Sequence, residues 1–179
     1  MLYMHQSGQR RGEERMNPIF KRTSIRQWTD EPVSREQILD LLKAGMQAPS
    51  AVNSQPWEFA VVTDPEVKKR LSEISPYSHF AADAPVIIAL LCRKENSCPP
   101  YNQIDMGICT ENILLEAVEL GLGAVMLGVC PLQDRMDAMA EILDLPEGVE
   151  AFGLIPVGHP KAEKEQVSRF DESRIRWID

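Results

Sequence analysis

The sequence predicts one domain of α/β or mixed α+β class. Three observations predict it. Apolar stretches of strand length alternate with amphipathic stretches of helix length, so strands and helices interleave along the chain. The length of 179 residues suits one domain and leaves little room for a second. No segment repeats, and the longest apolar run, Pro85 to Cys92, suits a buried strand because it is too short to span a membrane.

The elements follow in order. Residues 1–16 are polar and without period, and are expected to form a flexible lead. The folded domain is expected over 17–179, with 161–179 as a C-terminal arm. Arg22 to Trp28 alternates polar and apolar residues and reads as extended. Ser34 and Gln37 have the spacing of a capping box, and Ile38, Leu41, Leu42 and Met46 then share a helical face that ends at Ala48-Pro49. Glu58 to Thr63 reads as a strand. Asp64-Pro65 opens a helix with Asp as N-cap and Pro in the first helical position. Pro76 to Ala84 reads as a loop or short turn, and Pro85 to Leu91 as the buried strand. Asp105 to Leu120 reads as a long helix closed by Gly121, apolar around most of its circumference. Such a helix is buried in a large core or against a partner. Ala124 to Leu127 reads as a third strand, Pro131 as the start of a helix, and Ala151 to Val157 as a fourth strand. The arm ends in an apolar group of Ile175, Trp177 and Ile178.

Composition narrows the function. A net charge of −8 and a pI near 5.0 argue against a nucleic-acid or anionic-membrane surface, which needs clustered Lys and Arg. A few local arginines still suffice for a phosphate. The cysteines at 92, 98, 109 and 130 have neither C-x-x-C nor zinc-finger spacing. Three lie in apolar surroundings and read as reduced core thiols, with Cys98 the one to be exposed. Without a secretory stretch at the N-terminus, the expected compartment is the cytoplasm. The three histidines are too scattered for a metal site, no metal is expected, and His79 reads as a solvated loop residue.

Three places carry candidate chemistry. In an extended segment Arg22, Ser24 and Arg26 point to one side, with the two arginine Cα atoms roughly 13 Å apart. Arginine suits phosphate because its fork donates two parallel hydrogen bonds. A solvated basic strand edge has the same pattern. The loop Pro49-Ser50-Ala51-Val52-Asn53-Ser54-Gln55-Pro56-Trp57 holds hydroxyl and amide groups between two prolines, suited to the edge of a heterocycle, although it also fits a plain helix-to-strand connection. Gly121-Leu122-Gly123 is no dinucleotide fingerprint, since Met126 stands where its last glycine belongs. A helix C-cap explains Gly121, and Gly128 remains for close backbone approach to a ligand.

Together these residues resemble the nitroreductase family. Arg22-Thr23-Ser24-Ile25-Arg26 is similar to its opening phosphate motif, and Pro49 to Trp57 to its second motif. Gly121 through Gly128, Pro156-Val157-Gly158-His159-Pro160 and Arg169-Phe170-Asp171 resemble later ones, in the right order over about residues 17 to 177. The resemblance implies an α+β FMN-binding fold: a central, mostly antiparallel sheet flanked by helices, in an intertwined homodimer built around the long helix. It implies that Arg22, Ser24 and Arg169 hold the FMN phosphate, that Thr23 also binds the cofactor, and that Arg26 lies nearer the pyrimidine end of the ring. Leu127 and Gly128 would pass beside the ring, while Pro49, Ser50, Ala51 and Asn53 reach it from the partner subunit.

The activity implied is transfer of reducing equivalents from NADH or NADPH through flavin to a nitroaromatic, quinone or similar small acceptor. The flavin supplies the chemistry, so no catalytic side chain is expected beyond an electrostatic role for Arg26. Two rival readings are a flavin enzyme of other chemistry, such as dehalogenation, and a non-catalytic flavin carrier or sensor.

Overall fold

Val86–Arg93, the most apolar stretch of the chain, forms the strand around which the rest is built. The computed structural model describes residues 17–178, and the expected flexible lead over 1–16 lies outside the described residues. Strands β1 (Trp57–Val62), β2 (Val86–Arg93), β3 (Gly123–Ala124), β4 (Leu127–Gly128) and β5 (Val149–Gly158) make one antiparallel sheet. Its order is β1-β2-β5-β3, with β4 also on β5. Successive side chains of a strand point to opposite faces. Val86, Ile88, Leu90 and Cys92 therefore enter one core cluster, and Ile87, Ala89 and Leu91 the other.

Helices cover both faces. Helices α2 (Arg35–Met46) and α4 (Asn102–Glu119) pack on the first cluster, and α3 (Pro65–Ser72) and α5 (Gln133–Leu143) on the second. A short α1 (Pro18–Lys21) precedes them. The predicted caps are in place. Ser34 and Gln37 exchange both capping-box hydrogen bonds, at 2.9 and 3.1 Å. The Asp64 carboxylate accepts from the N–H groups of Glu66 and Val67. Gly121 closes α4 at φ 69°, a left-handed position that suits glycine.

Several expectations change. The third predicted strand is two short strands, interrupted at Val125–Met126, where the Met126 side chain crosses the face of Gly153 so closely that a Cβ there would collide with it. The register on β5 continues across the gap: Ala124 faces Val157 and Leu127 faces Leu154. Helix α5 begins at Gln133 rather than Pro131. Met46, assigned to the core face of α2, is exposed, and the small Gly45 is buried in its place. A Cβ on Gly45 would lie 2.9 Å from Ile113, so only glycine lets α2 approach α4 this closely.

The expectation for α4 changes most. Its Met106, Cys109, Ile113, Leu114 and Ala117 are buried within their own chain, against α2 and the sheet. What remains outside is a narrow stripe, Ile104 and Ile108 at 59% and 36% exposure, around the open Gly107. The arm adds exposed Val167, Phe170, Trp177 and Ile178. All four cysteines are free, with Cys92 and Cys109 buried and Cys98 and Cys130 half-buried. Burial pushes the Cys109 thiol up to about 12 and, with the Glu150 carboxylate adding to it, the Cys92 thiol up to about 11. Both stay protonated and unreactive at neutral pH.

The N-terminal segment is seated on this frame. The Ile25 N–H donates to the Ala124 carbonyl at 3.1 Å, and the Trp28 indole donates to the Gly123 carbonyl at 2.7 Å. A Cβ on Gly123 would lie 2.7 Å from Ile25 Cγ2 and 2.8 Å from its Cβ, so relief requires the segment itself to move. Gly123→Ala is expected to cost about 1–3 kcal/mol through overpacking, lowering the melting temperature by several degrees in thermal unfolding. An unchanged melting temperature would show that the segment adjusts freely.

Candidate functional site

Arg22 leaves the end of α1 and crosses to α4, where its Nε lies 3.5 Å from Glu111 Oε1. Beside it opens a cavity of about 530 Å³. Arg22 and Thr23 line it with Leu114 and Val118 of α4, the Gly121–Ala124 turn and the start of the arm. Arg22 is half-buried, which strengthens its field relative to a surface arginine. The hydroxyls and backbone N–H groups of Thr23 and Ser24 find no partner among the described residues. A guanidinium beside four unused donors is the donor set that an oxyanion needs.

The arm closes on the same place. The Gln166 side chain donates to the Ile19 carbonyl at 3.1 Å and the Arg22 carbonyl at 3.0 Å. This tie leaves the exposed Arg169 only three residues from a point fixed on Arg22. Arg26, by contrast, does not join Arg22. It is exposed and lies over the Phe80 ring, 5.8 Å from its centroid. The two arginines expected on one face thus diverge, since Arg22 is drawn to Glu111 and Arg26 to an aromatic ring.

The loop after α2 is conformationally unusual. Val52, Asn53 and Gln55 have φ of 46°, 57° and 46°, and none is glycine. Left-handed backbone at a β-branched residue costs energy and persists only where the surroundings impose it. The constraint is the Asp105 carboxylate in the first turn of α4. It accepts from the Ala51 N–H at 3.1 and 3.2 Å and from the Ser54 hydroxyl at 3.0 Å. Ser50 Oγ accepts from the Gln55 N–H. Val52 and Asn53 are left exposed, while Pro49 is exposed and Ser50 and Ala51 half-buried.

The loop and the Arg22 cavity lie toward opposite ends of α4. Asp105 holds the first, while Glu111 meets Arg22 and Leu114 and Val118 line the second, so at 1.5 Å per residue the two are separated by about 9–20 Å along the helix. None of Pro49–Asn53 lines the Arg22 cavity. Leu127 and Gly128 lie elsewhere again, on the outer edge of β5, lining a separate hollow with Tyr77 and Arg135. Gly128 is exposed, and a Cβ there would meet nothing within 4 Å, so neither fold nor packing requires its glycine. His79 is exposed, and Cys98 sits in a turn held by Asn96. Among the described residues, no group of three potential metal ligands converges. Glu111, Asp105 and Gln166 are the functional candidates absent from the sequence reading. Each lies in a run where its residue type is ordinary, and only the partner across space distinguishes it.

The pattern that defines the Nitroreductase family matches residues 19–76 and 75–159. A protein of Archaeoglobus fulgidus, provisionally named an NADH dehydrogenase/NAD(P)H nitroreductase, is 42% identical over 168 residues, covering 91% of this chain and 97% of its own. An FMN-dependent nitroreductase from Clostridium difficile superposes with a TM-score of 0.84 at 28% identity, over 91% of this chain and 98% of that one. A protein of Desulfovibrio desulfuricans, provisionally named a nitroreductase and solved in complex with FMN, superposes with a TM-score of 0.77 at 31% identity, over 90% and 94% of the two chains.

Proposed function

The chain belongs to the nitroreductase family, and on that premise we propose that it is an FMN-dependent oxidoreductase. It takes reducing equivalents from NADH or NADPH and passes them to a small acceptor such as a nitroaromatic or a quinone. The observation that carries this reading is the guanidinium of Arg22, which with Thr23 lines the 530 Å³ cavity, next in the chain to the unpartnered donors of Thr23 and Ser24. That donor set fits a terminal phosphate, and a terminal phosphate is what FMN offers. Bound FMN would supply the redox chemistry, accepting two electrons from the nicotinamide and releasing them to the acceptor.

The chain's own residues bind and orient. Arg22, Thr23, Ser24 and Arg169 take the phosphate, and the Gln166 tie keeps the arm that carries Arg169 against Arg22. Glu111 holds the Arg22 guanidinium in place before the phosphate arrives. Leu127 and the side-chain-free Gly128 let backbone pass beside the ring. Arg26 is assigned the pyrimidine edge, where a fixed cation stabilises the negative charge of reduction.

That none of Pro49, Ser50, Ala51 and Asn53 lines the Arg22 cavity of their own chain supports a homodimer in which they serve the partner's site. The outward stripe of Ile104 and Ile108 and the apolar arm are the surfaces suited to that contact. No helix among the described residues is long and apolar enough to cross a membrane, and the unpaired thiols suit a reducing cytoplasm.

The purified protein is expected to show flavin absorption bands, and heat is expected to release FMN rather than FAD. With NADH or NADPH and a quinone or nitroarene it should turn over. Bound FAD, or no flavin after reconstitution, would refute the reading. A yellow protein without turnover would reduce it to a flavin carrier.

A further inference from the structure

We propose that Asp105 is the positioning residue that sets the loop Ser50–Gln55 for flavin binding; this rests on the FMN reading above. Asp105 is a carboxylate at 2% exposure, and no cation pairs with it among the described residues. A buried charge without a counter-ion is costly unless donors surround it. Here the donors all come from one place: the Ala51 N–H, shared between both oxygens, and the Ser54 hydroxyl. These two residues bracket Val52 and Asn53, whose left-handed backbone the chain would not adopt unaided.

The same helix fixes the approach to the loop. Asn112, seven residues beyond Asp105 and thus about two turns along α4, donates to the Ala44 carbonyl near the end of α2 at 3.0 Å. Gly45 then packs directly on Ile113 and Cys109. At the far end, the Arg93 guanidinium donates to the Gln55 carbonyl. The loop is therefore registered chiefly to α4, and its exposed Val52 and Asn53 project from a base that Asp105 clamps. Ile104 and Ile108, the outward stripe, flank Asp105 on that helix. The carboxylate thus locks the loop that reaches into the partner's site to the surface along which the partner would dock.

The chemistry distinguishes substitutions. An Asn side chain keeps an oxygen for the Ala51 N–H, and its amide donates to Ser54 Oγ, which accepts as readily as it donates. A Leu side chain of similar size offers neither. Asp105→Leu is expected to raise the FMN dissociation constant at least tenfold in fluorescence titrations of the full-length protein. At saturating FMN it should also alter the visible circular dichroism of the bound flavin. Asp105→Asn should stay within threefold of wild type and restore the wild-type spectrum. Ser54→Ala, which removes one donor, should weaken FMN binding two- to fivefold and alter the bound-flavin spectrum, and it decides the matter should the Leu variant fail to fold.

Wild-type affinity and spectrum in Asp105→Leu, or in Ser54→Ala where the Leu variant is unfolded, would overturn the proposal. So would a lowered apoprotein melting temperature with an unaltered flavin spectrum, which is the signature of a merely structural residue. The two possible failures read apart. A wild-type protein with no affinity for FMN defeats the flavin reading and this inference together. Intact wild-type binding that survives Asp105→Leu defeats only the role of Asp105.

Discussion

Arg22→Ala should lose FMN tenfold to a hundredfold more readily than wild type, and Arg169→Ala should do the same. Losing one charge-assisted hydrogen bond to a phosphate costs about 1.5–3 kcal/mol, which corresponds to that range of affinity. Arg22 should show the larger effect because it is half-buried and already oriented by Glu111, whereas Arg169 is exposed and must be ordered on binding. Arg26→Ala belongs to a different class. It leaves the phosphate untouched and should instead lower the flavin reduction potential by removing a cation from the pyrimidine edge. Equilibrium titration of FMN, with a dye-linked potential measurement on the same variants, separates the two. Equal FMN loss in Arg26→Ala and Arg22→Ala, with no change in potential, would refute the division of roles.

Ile108→Glu should separate the subunits and discharge the flavin together. Ile108 points outward from α4, so a glutamate there is solvated in the free chain and leaves the core intact. In an apolar interface the same carboxylate would be desolvated without a partner, at a cost of several kcal/mol. Sedimentation should show a folded monomer at concentrations where wild type is a dimer, and that monomer should be colourless. A site shared by two chains makes FMN stabilise the dimer by mass action, so added FMN should shift the wild-type equilibrium further toward the dimer. Leu114, on the same helix, is only 6% exposed within its own core. A glutamate there would unfold the chain whether or not it dimerises. A stable Ile108→Glu monomer with a full complement of FMN would show that the site is built from one chain.

Much of this protein was legible because local rules act over a few residues. The Ser34–Gln37 capping box, the Asp64-Pro65 helix start and the Gly121 helix end depend only on neighbours in sequence, and each stands as read. The buried strand expected over Pro85 to Leu91 and found over Val86–Arg93 announced itself by composition, since a strand covered on both faces is apolar throughout, as here from Val86 to Cys92. The family was recognisable from the residue types and order of Arg22–Arg26 and Pro49–Trp57.

Position in space was a different matter. Nothing local to Arg22-Thr23-Ser24-Ile25-Arg26 decides that Arg22 turns to Glu111 while Arg26 turns to Phe80, because both attractors lie dozens of residues away. Asp105 looked like an ordinary first-turn acid of a helix. It became a clamp only when α4 packed against α2 and brought the Ala51 N–H and the Ser54 hydroxyl to its carboxylate. Met46 left its expected place in the core for the same reason. A helical period fixes which residues share a face, but not which neighbour covers that face. The sequence determined the elements, their caps and the donor types of the site. Only tertiary packing decided which donors converge, because side-chain direction and burial are set by contacts between segments far apart in the chain.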